Sequence, residues 1–434
     1  MTTRIETVFV VARPRLPDAA PDKTRFSGRE PELNSRNRGR IHNAHELPDN
    51  LQQDLRYAGR VLQLYRGQGM DMRLGFVGGL FLAVALSGAM GQQAGAPKVW
   101  PAQEGNYHIA NFHFKDGEKI DDLKLHYITL GTLRHDAAGH ADNAVLLLHG
   151  TGGQASTLLN PIFADELFGP GQPLDITKYY LILPADIGHG KSSKPSDGLH
   201  MHFPAYDYDD MISSQHQMLV EGLKVDHLRL ILGTSMGCMQ SFVWGETYPG
   251  FADALAPFAC QAMALAGRNR MTRYMAIENI KNDPAWLGGE YKTEPIQGLR
   301  TANEMLLIMG SAPLRMQKNY PIREAAETYV DDYLARTVAS TDANDMIYYI
   351  NASRNYDPSA HLDRIKVPVL WINSADDFIN PPELGIAQRQ VKEMPRAKFI
   401  LIPVSDATQG HGTHTVAAIW KGYLVDLLNE SDKH

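Results

Sequence analysis

From His108 to Leu133 the chain alternates apolar and polar residues in two runs on either side of Asp116-Gly117. A period of two broken by a turn dipeptide predicts a β-hairpin. Beyond it the pattern changes to short, unbroken apolar runs: "NAVLLLHG" from Asn143, "YYLILPADIG" from Tyr179, "LRLILGTS" from Leu228, "ADALAPFACQA" from Ala252, "VPVLWINSAD" from Val367 and "AKFILIPVS" from Ala397. Runs of this kind, bounded by glycine or polar residues, predict parallel strands buried on both faces. Between them lie stretches with helical spacing. In "DYDDMISSQHQMLVEGLKV" residues Met211, Met218, Leu219 and Leu223 share one side, and "MGCMQSFVWGETYPG" predicts a helix closed by Pro249-Gly250. A further helix is expected from near Pro382. Alternating strands and helices predict an α/β fold with a mostly parallel, doubly wound sheet. From Ala264 to Leu362 the strand pattern vanishes and Met-rich, helix-compatible sequence replaces it. The expected organisation is an α/β core formed by residues 105–263 and 363–434, with residues 264–362 inserted as a helical cap.

One strand ends in chemistry. "LGTSMGCMQ" (Leu232 to Gln240) places Ser235 between Gly233 and Gly237, where an apolar run gives way to a helix. The pattern G-x-S-x-G is common by chance, but at a strand-to-helix turn it acquires a mechanism. Small residues two positions either side let the chain turn sharply, the serine hydroxyl is held out, and the helix start aims free N–H groups at any developing oxyanion. Ser235 is therefore the candidate nucleophile, and the backbone N–H groups of Met236 and of Thr151, in "LLLHGTGGQAS", are the candidate oxyanion donors. His149 reads as structural.

A serine hydroxyl is inert without a base, which loops after later strands must supply in the order Ser, Asp, His. "INSADDFINPPE" offers Asp376 and Asp377, and "VSDATQGHGTHT" offers His411 and His414. "DIGHGKSSKP" contains a Gly-Lys-Ser that imitates a phosphate loop, yet the glycine required five residues before Gly190 is Ala185. No cofactor is expected. His200 and His202, like His411 and His414, lack a matched acidic or histidine set, so no metal is expected either.

Composition excludes some partners. With 44% hydrophobic residues, 21% charged residues and a formal net charge of -7, the chain is ordinary for a soluble globular protein and offers no electrostatic reason to bind nucleic acid. A small-molecule substrate is the expected partner. Two cysteines, Cys238 and Cys260, cannot build a disulfide scaffold. The expectation is two buried thiols, with one bridge open to an exported chain.

The N-terminus bears on the compartment. Residues 1–71 are rich in Arg, Asp, Asn and Pro and lack a sustained apolar period, so they are expected to be disordered or not part of the true protein. Residues 72–91 have the layout of a secretory signal peptide: Met72, Arg73, an apolar stretch from Leu74 to Leu86 too short for a stable membrane span, then small residues at Ala89 and Gly91. Translation from Met72 and a mature start near Gln92, in the periplasm or outside the cell, is the expected arrangement, with a cytoplasmic protein the alternative if the segment is not a signal.

Several of these stretches together carry a resemblance. "FHFKDGEKIDDLKLHYITLGTL", "DYDDMISSQHQMLVEGLKVDHLRLILGTSMGCMQSFVW", "NDPAWLGGEY", "ADDFINPPE" and "GHGTH" resemble α/β-hydrolase-fold proteins of the homoserine O-acetyltransferase type, from about Asn111 to the C-terminus. The resemblance implies an α/β-hydrolase fold, Ser235 as nucleophile, Asp377 as acid, His411 as base and a helical cap that mediates homodimers. It departs in two places. "DIGHGKSSKP" looks like the corresponding loop of esterases, lipases and epoxide hydrolases, and the cap arginine that would hold an amino-acid substrate falls on Ile277, with Arg273 a turn away. The expected function is an exported serine hydrolase acting on an ester, lactone or amide through an acyl-enzyme; an acetyl-CoA-dependent acyltransferase is the alternative.

Overall fold

A computed structural model describes residues 98–432. The expectations for residues 1–71 and 72–91 lie outside the described residues.

Eight strands form one sheet in the order β1-β2-β4-β3-β5-β6-β7-β8. The predicted hairpin is β1 (Gln103–His113) and β2 (Lys119–Leu130), paired antiparallel. β2 also runs antiparallel to β4 (Tyr180–Pro184). The remaining neighbours are parallel: β3 (Ala144–Leu148), β5 (Leu230–Thr234), β6 (Leu255–Phe258), β7 (Val369–Ser374) and β8 (Ala397–Ile402). Every predicted apolar run contains one of these strands.

Why unbroken apolar runs were needed is visible in β3. Successive side chains of a strand point to opposite faces. Leu146 and Leu148 accordingly join one core with Ile182, Ile231, Trp244 and Trp371, whereas Val145 and Leu147 join another with Leu181, Leu232, Phe258 and Trp420. Helices cover both faces. They are α1 (Pro161–Leu167), α2 (Tyr208–Gln217) and α3 (Met236–Thr247), then α4 (Gly267–Lys281), α5 (Ile296–Gly310), α6 (Pro313–Asn319), α7 (Arg323–Ala339) and α8 (Ala343–Asn351), and finally α9 (Ile386–Gln390) and α10 (Ala417–Glu430). Helices α4 to α8 all lie between β6 and β7, and α4, α5 and α8 share an apolar core of their own built around Ile277, Ile280, Leu299, Met346 and Ile350. No helix among the described residues is long and apolar enough to cross a membrane.

One expectation fails here. Cys238 and Cys260 are not buried thiols but a disulfide, with Cα atoms 5.8 Å apart and a sequence separation of 22. Cys238 lies in the first turn of α3 and Cys260 just beyond β6, and packing of that helix against that strand brings them together. Nothing in the linear sequence encodes this proximity. By the loop-closure argument a bridge of this span contributes about 3 kcal/mol. The Cys238→Ala/Cys260→Ala protein is expected to lose about that much in urea unfolding, and the denatured, unreduced wild type should titrate no free thiol. Two free thiols would reject the bridge.

Candidate active site

The site forms where the parallel strands end. In an open α/β sheet ligands bind beyond the carboxyl ends of the strands, where the strand order reverses. Here the chain moves from β3 outward to β4 and then returns to β5 on the other side of β3, so the ends of β3 and β5 mark that reversal.

Ser235 follows β5 directly and caps α3. Its φ of 54° and ψ of -107° put a residue with a side chain in a region that side chains disfavour, the strain expected of a sharp strand-to-helix turn. The flanking glycines make the turn feasible. A β-carbon on Gly233 would lie 1.9 Å from the Gly237 carbonyl oxygen, and one on Gly237 would lie 2.3 Å from the Leu148 carbonyl oxygen. The Ser235 N–H donates to the Phe258 carbonyl at 2.8 Å and the Gly237 N–H to the His149 carbonyl at 3.0 Å, which pins the turn between β3 and β6.

Three of the residues singled out in the sequence meet here. Ser235 Oγ lies 2.8 Å from His411 Nε2, and His411 Nδ1 lies 2.9 Å from Asp377 Oδ2. A carboxylate only accepts, so the neutral ring carries its proton on Nδ1 and leaves Nε2 to receive the serine proton. Asp377 is 1% exposed. Its Oδ1 accepts the N–H groups of Ile379 (2.8 Å) and Asn380 (3.1 Å), and its Oδ2 accepts Asn380 Nδ2 at 3.3 Å. Burial alone would raise this carboxyl; the His411 imidazole and these donors overcome it and hold the group below its ordinary 3.8.

The two alternatives within each loop separate cleanly. Asp376 faces away from the imidazole: it accepts the Ser374 hydroxyl, Thr408 Oγ1 at 2.9 Å and the Gly410 N–H at 3.2 Å, and so anchors the loop that carries His411. His414 packs edge-on against His411 with ring centroids 5.1 Å apart, and burial lowers it to about 3, which keeps it uncharged.

The two candidate oxyanion donors remain available. Neither the Met236 nor the Thr151 N–H donates to any described residue. Thr151 lines the same cavity as Ser235 and His411. His149 has the structural surroundings its position suggested. Its Nδ1–H donates to the Gly150 carbonyl at 2.8 Å, and its Nε2 accepts the Asp186 N–H at 3.4 Å, tying the loop after β3 to the loop after β4.

The cavity has a volume of about 840 Å³. Its floor is the strand-end loops, and its walls are helices between β6 and β7, with Arg273 from α4, Met309 from α5, Tyr333 from α7 and Asp345 and Tyr349 from α8. Sequence reasoning did not identify most of this wall, because no motif marks it. Ile277, where the substrate-holding arginine of the resembled family falls, is buried in the core shared by α4, α5 and α8. Arg273 instead reaches the cavity. It is 8% exposed and, among the described residues, donates only to neutral acceptors, Asn269 Oδ1 at 3.0 Å and the Ile350 carbonyl at 3.2 Å. Burial lowers its pKa. Among the described residues no group of three His, Cys, Asp or Glu side chains is placed to hold a metal ion.

Comparison with known proteins agrees with this architecture. A family model described as alpha/beta hydrolase fold matches residues 143–404. A homoserine O-acetyltransferase from Moorella thermoacetica is 30% identical over 371 residues, covering 73% of this chain and 94% of its own. A probable acyltransferase from Methanothermobacter thermautotrophicus is 28% identical over 307 residues, covering 70% of this chain and 91% of its own. Among solved structures, an acetylester hydrolase from Corynebacterium glutamicum superposes with a TM-score of 0.67 at 23% identity, covering 75% of this chain and 96% of its own. The chain belongs to the alpha/beta hydrolase fold family and, within it, is related to the homoserine O-acetyltransferases.

Proposed function

We propose that this protein is an exported serine hydrolase that cleaves a small ester-like substrate (carboxylic ester, lactone or amide) through an acyl-enzyme. The observation that carries the reading is the continuous relay from Ser235 Oγ through His411 to Asp377, 2.8 Å and 2.9 Å long, at the floor of a walled cavity. In the first half-reaction His411 Nε2 takes the proton of Ser235 as Oγ attacks the carbonyl carbon, and Asp377 stabilises the imidazolium. The Met236 and Thr151 N–H groups receive the oxyanion. The imidazolium then protonates the leaving group. Water, deprotonated by the same imidazole, attacks the acyl-enzyme and returns Ser235 to its starting state.

Water as acceptor is supported by the compartment. A disulfide between Cys238 and Cys260 suits an oxidising environment, as a signal peptide at residues 72–91 implies. Acetyl-CoA is a cytosolic donor. Residues 264–362 act on this reading as the cap that sets specificity.

A second reading, acyl transfer to an alcohol, is favoured by Arg273. A buried guanidinium without a carboxylate partner among the described residues is costly until an anion arrives, so a substrate with a carboxylate, as homoserine has, would complete it. The decisive assay gives the protein acetyl-CoA with and without homoserine, and separately p-nitrophenyl acetate in water. The hydrolase reading expects ester turnover in water alone and no homoserine-dependent release of CoA. CoA release that requires homoserine, with ester hydrolysis no faster than background, would replace it by the transferase.

A further inference from the structure

Three residues that line the cavity each carry a polar atom with no hydrogen-bond partner among the described residues. His189, in the loop after β4, is 2% exposed and donates Nδ1–H to the Ile187 carbonyl at 3.0 Å, while its Nε2 is buried and bonds to no described residue. Since a carbonyl only accepts, the neutral ring must hold its proton on Nδ1, and Nε2 is restricted to accepting. Burial, reinforced by the His149 imidazole, lowers His189 to about 3, so the ring is neutral at any physiological pH. The second atom is Thr151 Oγ1, buried and unbonded. The third is the Tyr349 hydroxyl, which makes no hydrogen bond with any described residue.

These atoms belong to one surface. The Tyr349 ring lies 5.3 Å from that of His189 at an angle of 30°, and its hydroxyl end lies over the residue after Thr151, where a β-carbon on Gly152 would be 3.6 Å from Oη. Hydrogen bonds tie the wall to its surroundings. His149 joins the two loops as described, and the Asp186 carboxylate, at the start of the His189 loop, accepts Gln215 Nε2 at 2.5 Å and Gln240 Nε2 at 2.7 Å. Each buried polar atom left unbonded costs free energy that a matching ligand group recovers.

We propose that this wall binds a free hydroxyl of the substrate, which makes the substrate class a hydroxylated ester such as a polyol monoester or an ester of a hydroxy acid. A hydroxyl donates to His189 Nε2 while accepting from the Thr151 or Tyr349 hydroxyl. A carboxylate would meet the His189 lone pair with its own, and an alkyl group would leave every one of them unbonded. This inference rests on the hydrolase reading, and it concerns the wall opposite in character to Arg273, which calls for an anion.

Matched pairs of esters test it: 1-monobutyrin against propyl butyrate places the hydroxyl on the alcohol side, and ethyl 3-hydroxybutyrate against ethyl butyrate places it on the acyl side. In one pair kcat/KM should favour the hydroxylated member by about tenfold or more, and His189→Phe and Tyr349→Phe should each move that ratio towards one. Tyr349→Phe removes a single oxygen, so it serves if the histidine variant fails to fold. Calorimetric binding of the same pairs to Ser235→Ala supplies a readout independent of turnover. Preferential binding there without hydrolysis by the wild type would refute the hydrolase reading and leave the hydroxyl subsite standing. Equal kcat/KM and equal binding within both pairs, or a preference untouched by both variants, overturns the proposal.

Discussion

Ser235→Ala is expected to lower ester turnover by about four orders of magnitude or more, with little change in thermal stability. The variant removes one oxygen from a turn whose shape depends on other groups: the strained backbone at residue 235 is held by the Ser235 N–H to Phe258 bond, the Gly237 N–H to His149 bond and the absence of β-carbons at Gly233 and Gly237. Alanine tolerates the same φ about as well as serine does, so the folding cost reduces to one hydrogen bond to His411, about 1 kcal/mol. Chemistry loses far more, because without Oγ there is no covalent intermediate and His411 has no proton to take. On the proposed mechanism the two residues act as a unit. Ser235→Ala/His411→Ala should therefore be no slower than Ser235→Ala alone. A fluorophosphonate that labels the wild type and not the variant would locate the nucleophile, whereas labelling or hydrolysis undiminished in Ser235→Ala would remove the foundation of the mechanism.

How far the sequence foretold this site depends on what kind of order it contains. Strands β3 to β8 were legible because burial on both faces forces unbroken apolar runs, and the sharp turn at Ser235 because it needs small neighbours whose spacing is local. Asp377 and His411 were narrowed by position to pairs of neighbours, and family resemblance chose between them. Spacing could not, since adjacent loop residues point in different directions, and only the fold reveals that Asp376 turns to Thr408 and Gly410 while Asp377 turns to His411. The cavity wall was harder still. Arg273, Asp345 and Tyr349 lie on helices whose periodicity reports packing and carries no chemical signature, and Tyr349 meets His189, far back in the chain, only through the tertiary fold. Cys238 and Cys260 were misread for the same reason.

Asp377→Asn should lower turnover by about three to four orders of magnitude while leaving substrate affinity close to that of the wild type. The argument is one of protons. With the carboxylate present, His411 keeps its proton on Nδ1 and offers a lone pair to Ser235. An asparagine that presents its NH2 to the ring reverses this arrangement: Nδ1 must accept, the proton moves to Nε2, and the ring can no longer take one from Oγ. Stability should respond differently to pH. The folded-state pKa of Asp377 is depressed below 3.8, so its ionisation contributes stability above that value which is lost as pH falls through the depressed pKa. Asparagine has no such dependence, and the difference in Tm between wild type and variant should therefore narrow on acidification from pH 7 towards pH 3. Steady-state kinetics and melting curves on the same preparation check both halves. Turnover within tenfold of the wild type would show that His411 does not depend on this carboxylate, and a Tm difference that widened in acid would mean that Asp377 is not held ionised by the fold.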